Sequence, residues 1–77
     1  MEGILKNIFQ IRSKLGLSQE YVANQLQMKQ SGYAMIENGQ RELKFSTLSR
    51  IAIVFNMDVI DVIKFPERFI NENSKKS

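Results

Sequence analysis

The apolar residues of this 77-residue chain recur at helical spacing, but never for long before a residue suited to left-handed backbone interrupts them. Ile4, Leu5, Ile8, Ile11 and Leu15 share one face of an amphipathic helix with Arg12. Gly16 ends it, because a residue without Cβ adopts the left-handed conformation just past a helix at little cost, and Leu17 can then fold back on the last turn. Asn38-Gly39 closes a later helical pattern marked by Tyr33 and Ile36, and Asn56 offers a third exit of the same kind. No apolar run approaches the ~20 residues needed to span a bilayer, and the N-terminus lacks a signal-peptide pattern. The punctuation therefore predicts a single domain of short helices, expected in the cytoplasm.

The intervals can be filled in. Ser18 is a good N-cap for a second helix, with Glu20 in its first turn favourable to the helix dipole. That helix runs to about Leu26, with Val22, Ala23 and Leu26 on one face. Gln27-Met28-Lys29 contains no turn former, yet a third helix must begin soon after it, because Tyr33 and Ile36 resume the period. Asn-Gly is also a hairpin signal. Here it follows a helical pattern and precedes polar Gln40-Arg41-Glu42, which favours a helix C-cap. Residues 40–46 read as a loop pinned by Leu43 and Phe45. Leu48, Ile51, Ala52 and Phe55 mark a fourth helix with Ser46 as its cap, and Asp58 with Asp61 makes a capping-box-like start for a fifth. Residues 51–55 and 59–63 are rich in β-branched side chains, so a β-hairpin competes with the two helices there, and periodicity leaves both open. Pro66 either stops the fifth element or starts a short sixth one carrying Phe69 and Ile70. Residues 71–77 are polar and expected to fray.

Composition narrows the chemistry. The chain has no cysteine and no histidine, which removes disulfides, Cys/His zinc sites, thiol nucleophiles and His-based acid–base catalysis. Serine and carboxylates are present, but no glycine-rich phosphate loop or paired-acid constellation organises them, so no enzyme is expected and no cofactor or metal. A net charge of +3 hints at an anionic partner. Residues 1–63 carry only +1 of it, however, and the remaining +2 sits in the tail. An argument for nucleic acid must come from arrangement, not bulk charge.

The arrangement is two short helices joined by a tight turn and flanked by others, the helix-turn-helix pattern, in which the second helix of the pair enters the major groove. Here that helix is about residues 30–38. The blocks from Arg12 through Leu-Gly-Leu-Ser-Gln to Glu20, then Val22-Ala23, Leu26, Ile36-Glu-Asn-Gly39 and Thr47-Leu48, resemble the Cro and phage-repressor-like (XRE) helix-turn-helix family. The resemblance spans about residues 4–63 without gaps. It implies an all-α five-helix DNA-binding domain over 1–64, with 65–77 as an extension that dimerises or is disordered.

The resemblance also places residues. Gln30, Ser31, Ala34 and Met35 fall where the family reads bases: glutamine can bond adenine in a bidentate fashion, and an apolar side chain can meet a thymine methyl. Gln19, Lys29, Asn38, Arg41 and Lys44 fall where it touches the phosphate backbone, and Gln19 resembles residues that brace the glutamine at the position of Gln30. Arg12 and Glu37 match a structural ion pair joining the first helix to the end of the recognition helix. Two departures stand out. Lys29 and Lys44 occupy positions usually held by helix-capping residues, and lysine cannot accept the orphan N–H bonds. Gly32 lies inside the recognition helix at a cost of up to ~1 kcal/mol; a missing side chain there would let backbone approach DNA closely. Ile53 and Val54 lie off the core stripe and, with Phe65 and Phe69, are candidates for a dimer surface. The expected partner is double-stranded DNA with a two-fold operator, bound by a homodimer, with no membrane and no small-molecule ligand. Phage repressor, restriction–modification controller and self-repressing antitoxin share this scaffold, and the alternative is a protein-interaction module that has lost DNA contact.

Overall fold

The computed structural model describes residues 2–67. Five helices follow one another: α1 (Glu2–Lys14), α2 (Gln19–Gln25), α3 (Gln30–Glu37), α4 (Phe45–Val54) and α5 (Val59–Ile63). Among the described residues there is no strand. The hairpin reading of residues 51–63 is therefore wrong, despite the β-branched side chains. A helical path lets Ile51, Ala52, Phe55 and Val62 all enter one core, each no more than 4% exposed. The fold is all-α.

Four successive helices end the same way. After α1, Gly16 takes φ +72°, its N–H bonds Ser13 O at 3.0 Å and the Leu17 N–H reaches back to Arg12 O at 3.0 Å. This double closure is the Schellman motif, which satisfies carbonyls that a helix end would otherwise leave without partners. It repeats after α3, where Gly39 has φ +82°, with bonds from Gly39 N to Ile36 O and from Gln40 N to Met35 O. It repeats after α4, where Asn56 has φ +59°, with bonds from Asn56 N to Ile53 O and from Met57 N to Ala52 O. The fourth case was not visible in the sequence: after α2 the left-handed residue is Gln27, at φ +59°, with bonds from Gln27 N to Asn24 O and from Met28 N to Ala23 O. In three of the four, the residue after the exit is apolar (Leu17, Met28, Met57) and packs against the core, so each turn is anchored by burial as well as by hydrogen bonds.

Helix starts are less regular. Ser18 caps α2 through its Oγ, which accepts from Tyr21 N at 2.9 Å. Lys29, Lys44 and Asp58 hold the extended N-cap conformation of α3, α4 and α5 with no capping bond from the side chain. The capping box expected from Asp58 and Asp61 thus lacks the Asp58 side-chain bond. Ser46 is not the cap of α4 either. Leu48 N already bonds Lys44 O at 2.9 Å, so the helix starts two residues earlier and Ser46 sits in its first turn. Phe45, expected to pin the preceding loop, is the first residue of α4 and 69% exposed, while Leu43 does pin it at 6%.

Ile8 and Ile11 of α1, Val22 and Ala23 of α2, Tyr33 and Ile36 of α3, Leu48, Ile51 and Ala52 of α4 and Val62 of α5 form the core, closed by Leu26, Leu43, Phe55 and Phe65. Pairwise, α2 packs on α3 and α4, α1 on α3 and α5, and α4 on α5. Two side chains tie distant segments by their backbone. Asn7 Nδ2 donates to Val62 O and Ile63 O, joining α1 to α5, and Arg50 Nη2 donates to Leu26 O at 2.7 Å, joining α4 to the end of α2. Phe65 is a correction to the dimer candidates: it is only 6% exposed and belongs to the core, because a core this thin uses the ring to cover the end of α5. Val54 is half-buried against the core, and Ile53 is 75% exposed. Lys64 to Pro66 turn and Glu67 is helical; Phe69 and Ile70 lie outside the described residues.

Gln27 holds a conformation that costs an L-residue with Cβ roughly 1–2 kcal/mol, partly offset in glycine by greater chain entropy when unfolded. Gln27→Gly is expected to stabilise the domain by up to about 1 kcal/mol, and Gln27→Val, β-branched at a left-handed position, to destabilise it by more. Urea denaturation checks both; a Gly variant weaker than wild type would contradict the assigned strain.

Candidate nucleic-acid interface

Helix α3 is amphipathic at close quarters. Tyr33, Ile36 and Glu37 are buried on its inner side, and Gln30, Ser31 and Met35 are exposed on the other, with half-buried Ala34 beside them. The four residues expected to read bases therefore share one outward face. Lys29, Asn38, Arg41 and Lys44 are exposed around it. Ser31 and Met35 also border a shallow cleft of ≈ 300 Å³ together with Met28, Lys29, Gly32 and Arg41.

Gln19 is placed differently from expectation. Its amide does not brace Gln30: Nε2 donates to Glu37 Oε1 at 3.0 Å. Glu37 is the hub of a polar cluster that draws donors from α1, α2 and its own helix. Arg12 approaches as a fork, Nε to Oε2 and Nη2 to Oε1, both at 2.9 Å. The Tyr33 hydroxyl donates to Oε2 at 2.7 Å. The carboxylate thus accepts two bonds on each oxygen, which is the satisfaction a buried charge needs. Its side chain is 3% exposed and that of Arg12 12%. Arg12 is itself held, with Nη1 donating to Leu17 O at 2.8 Å and its guanidinium 5.5 Å from the Phe9 ring centre. Tyr33, read from the sequence as core alone, also supplies this hydrogen bond. The i, i+4 spacing from Tyr33 to Glu37 was the available signal, since residues so spaced meet on a helix surface.

The protonation states follow from the contacts. Burial alone would push the Glu37 carboxyl up, but hydrogen bonds from Arg12, Tyr33 and Gln19 overcome it and hold the group below its ordinary value. The bond to Glu37 raises Arg12 against the lowering effect of burial. Burial, then the bond to Glu37, pushes the Tyr33 phenol far up, so it stays a donor. The cluster is one anion, one cation and two neutral donors, and it contains no group poised for proton transfer near neutrality.

A family model described as helix-turn-helix matches residues 8–62, most of the chain. The chain belongs to the Cro/repressor-like (XRE) helix-turn-helix family. No curated protein and no solved structure matches it. The family is one of DNA-binding transcription regulators and not of enzymes. The match runs from Ile8 in α1 to Val62 in α5, so it covers the helix pair and the elements that hold it. No helix among the described residues is long and apolar enough to cross a membrane.

A carboxylate held below its ordinary value of about 4.3 stabilises the fold fully above that value, and the contribution is lost as pH falls through the folded-state value. Wild type is therefore expected to lose stability progressively in acid below about pH 4, and Glu37→Gln to lose less over the same interval. At neutral pH, Glu37→Ala should cost about 3–5 kcal/mol, because Arg12 is left buried and unpaired. Tyr33→Phe should cost about 1.5–3 kcal/mol. Urea titrations across pH measure all three; equal acid sensitivity in wild type and Glu37→Gln would show that Glu37 is not the responsible group.

Proposed function

We propose that this protein is a sequence-specific transcriptional repressor that binds double-stranded DNA through the outward face of α3 and acts by occupying its operator in the cytoplasm. The observation that carries the reading is the pairing of a rigidly held α3 with a solvent-facing row of short, chemically varied side chains. Gln30 is suited to the donor–acceptor pair on adenine, Ser31 to either a donor or an acceptor, and Ala34 and Met35 to a thymine methyl. The rim supplies the sequence-independent part. Lys29 and Lys44 stand at helix starts where neither side chain makes a capping bond, so cations face the positions where phosphate oxygens bind helix N–H groups. Arg41 and Asn38 extend the rim, and Gln19 keeps a second amide N–H for a phosphate oxygen while bonded to Glu37. Phosphate contacts set register and base contacts set sequence.

One recognition helix reads too few bases to find a single site in a genome, so the proposed species on DNA is a homodimer on a two-fold operator. Ile53 supports a surface for the second copy. It is 75% exposed and borders a cleft of ≈ 280 Å³ with Tyr21, Gln25, Leu26, Arg50 and Val54, on elements other than α3. Ile53→Asp is expected to give a monomer in sedimentation at concentrations where wild type is a dimer, and a monomeric wild type with or without DNA would remove the two-fold model.

Selection of bound sites from random duplexes is expected to recover a two-fold motif with half-site centres about 10 base pairs apart. Reversing the charges of Arg41 and Lys44 together should weaken binding to all duplexes and lower the slope of log affinity against log salt by about 2. Recovery of no motif, with affinity indifferent to the reversal, would leave the protein as an interaction module.

A further inference from the structure

Gly32 is the one residue of α3 whose identity runs against its position. It lies in the third place of an eight-residue helix, where glycine is a poor helix former, and its φ is not one that requires glycine. Close approach of its backbone to DNA does not account for it either, because Gly32 is buried while Ser31 beside it is exposed. What covers Gly32 is Arg41. A Cβ built on Gly32 would stand 3.0 Å from Arg41 Nη1 and 3.8 Å from Cζ, with Met28 Cε at 3.7 Å. A real Cβ and a guanidinium nitrogen do not share that spacing comfortably, so alanine would push the guanidinium off its seat by a few tenths of an ångström.

The path of Arg41 explains how it gets there. Its backbone N–H bonds Met35 O at 3.1 Å, beside the N–H of Gln40 bonded to the same oxygen. The loop residue is thereby fixed at the C-terminal end of α3, and its side chain runs back along the helix to Gly32 near the N-terminal end. There it borders the same cleft as Ser31, Met35 and Lys29. Among the described residues the guanidinium has no hydrogen-bond or ion-pair partner, and Arg41 stays exposed next to the residues proposed to read bases.

We infer that Gly32 is a positioning residue that acts through Arg41: its bare Cα seats the guanidinium against the recognition helix, where it contacts a phosphate of the duplex bound by α3. The inference rests on the DNA-binding reading above and deepens it. A lysine or arginine swinging freely from a loop loses conformational freedom when it grips a phosphate, and a seated guanidinium has lost much of it beforehand. Gly32 thus carries a helix-propensity penalty in return for a pre-organised anchor.

The test is a double-mutant cycle of Gly32→Ala and Arg41→Ala on the full chain, read as affinity for the duplex enriched by selection and as its salt dependence. Each single variant is expected to weaken binding about three- to tenfold and to lower the salt slope by up to about 1, while the double variant is no worse than Arg41→Ala alone. Gly32→Ala should melt no lower than wild type, because alanine favours the helix and the displaced side chain is exposed; this separates lost binding from lost folding. Two results overturn the inference while leaving the DNA-binding reading intact. One is an equal loss from Gly32→Ala with Arg41 present or absent, which would mean that Gly32 acts on DNA directly. The other is no loss at all from Gly32→Ala when wild type binds with a normal salt slope. A wild type that retains no duplex under any salt condition overturns the reading and this inference together.

Discussion

The placing of α3 against its neighbours depends on one buried carboxylate. Glu37 is the last residue of α3, and its two oxygens accept from Arg12 on α1, Gln19 at the start of α2 and Tyr33 one turn back on α3. Three helices of an otherwise thin apolar core are thereby tied at a single point. The apolar packing would tolerate some sliding of α3 against α1 and α2, since dispersion contacts are individually weak and non-directional. The forked Arg12–Glu37 contact would not, because both oxygens and two guanidinium nitrogens must align at once. Whether a buried ion pair adds net stability depends on its desolvation cost. Its stronger contribution here is geometric: α3 has one allowed position relative to its supports.

That rigidity separates two tasks on the same short helix. Tyr33, Ile36 and Glu37 face inward and fix α3 in place, and Gln30, Ser31, Ala34 and Met35 face outward and are free to vary in chemistry without disturbing the core. The helix is eight residues long, too short to be stable by its own propensity, so the inward residues must supply the whole of its order. The turn before it works in the same sense. The left-handed Gln27 and the half-buried anchor of Met28 bring the chain around, and Arg50 ties the end of α2 to α4. The pair α2–α3 is held from both flanks before any ligand arrives, which lowers the ordering cost of binding.

Much of this was legible in the residues. Helical period and left-handed exits at Gly16, Gly39 and Asn56 located α1, α3 and α4, and Ser18 located the start of α2. Ile8, Ile11, Val22, Ala23, Tyr33, Ile36, Leu48, Ile51 and Ala52 are buried as the spacing put them, whereas Leu15, placed on the first stripe, lies past the end of α1 and is exposed. The family resemblance then placed the second helix of the pair and joined Arg12 to Glu37, as the structure has them. The misreadings share a physical cause. Gln27 has no intrinsic preference for a left-handed turn and adopts one where Met28 packs against the core and its N–H closes α2 on Ala23 O. Phe45 and Phe65 are both aromatic and both near chain turns, yet one is 69% exposed and the other 6%. Intrinsic hydrophobicity cannot separate them, because what differs is which one the helix start directs away from the core.

By itself the sequence determined the local grammar of the protein: where helices stop, which faces are apolar, and the absence of cysteine and histidine. These follow from φ preferences, side-chain periodicity and composition, which are properties of residues and near neighbours. Only the tertiary structure decided the partners of polar groups. That Gln19 turns to Glu37 and not to Gln30 depends on the approach of α2 to α3, and that Arg41 lies over Gly32 depends on how the loop after α3 folds back along it. Hydrogen bonds and close contacts are decided within a few tenths of an ångström, and positions that fine are fixed only once α1, α2 and α3 have packed together.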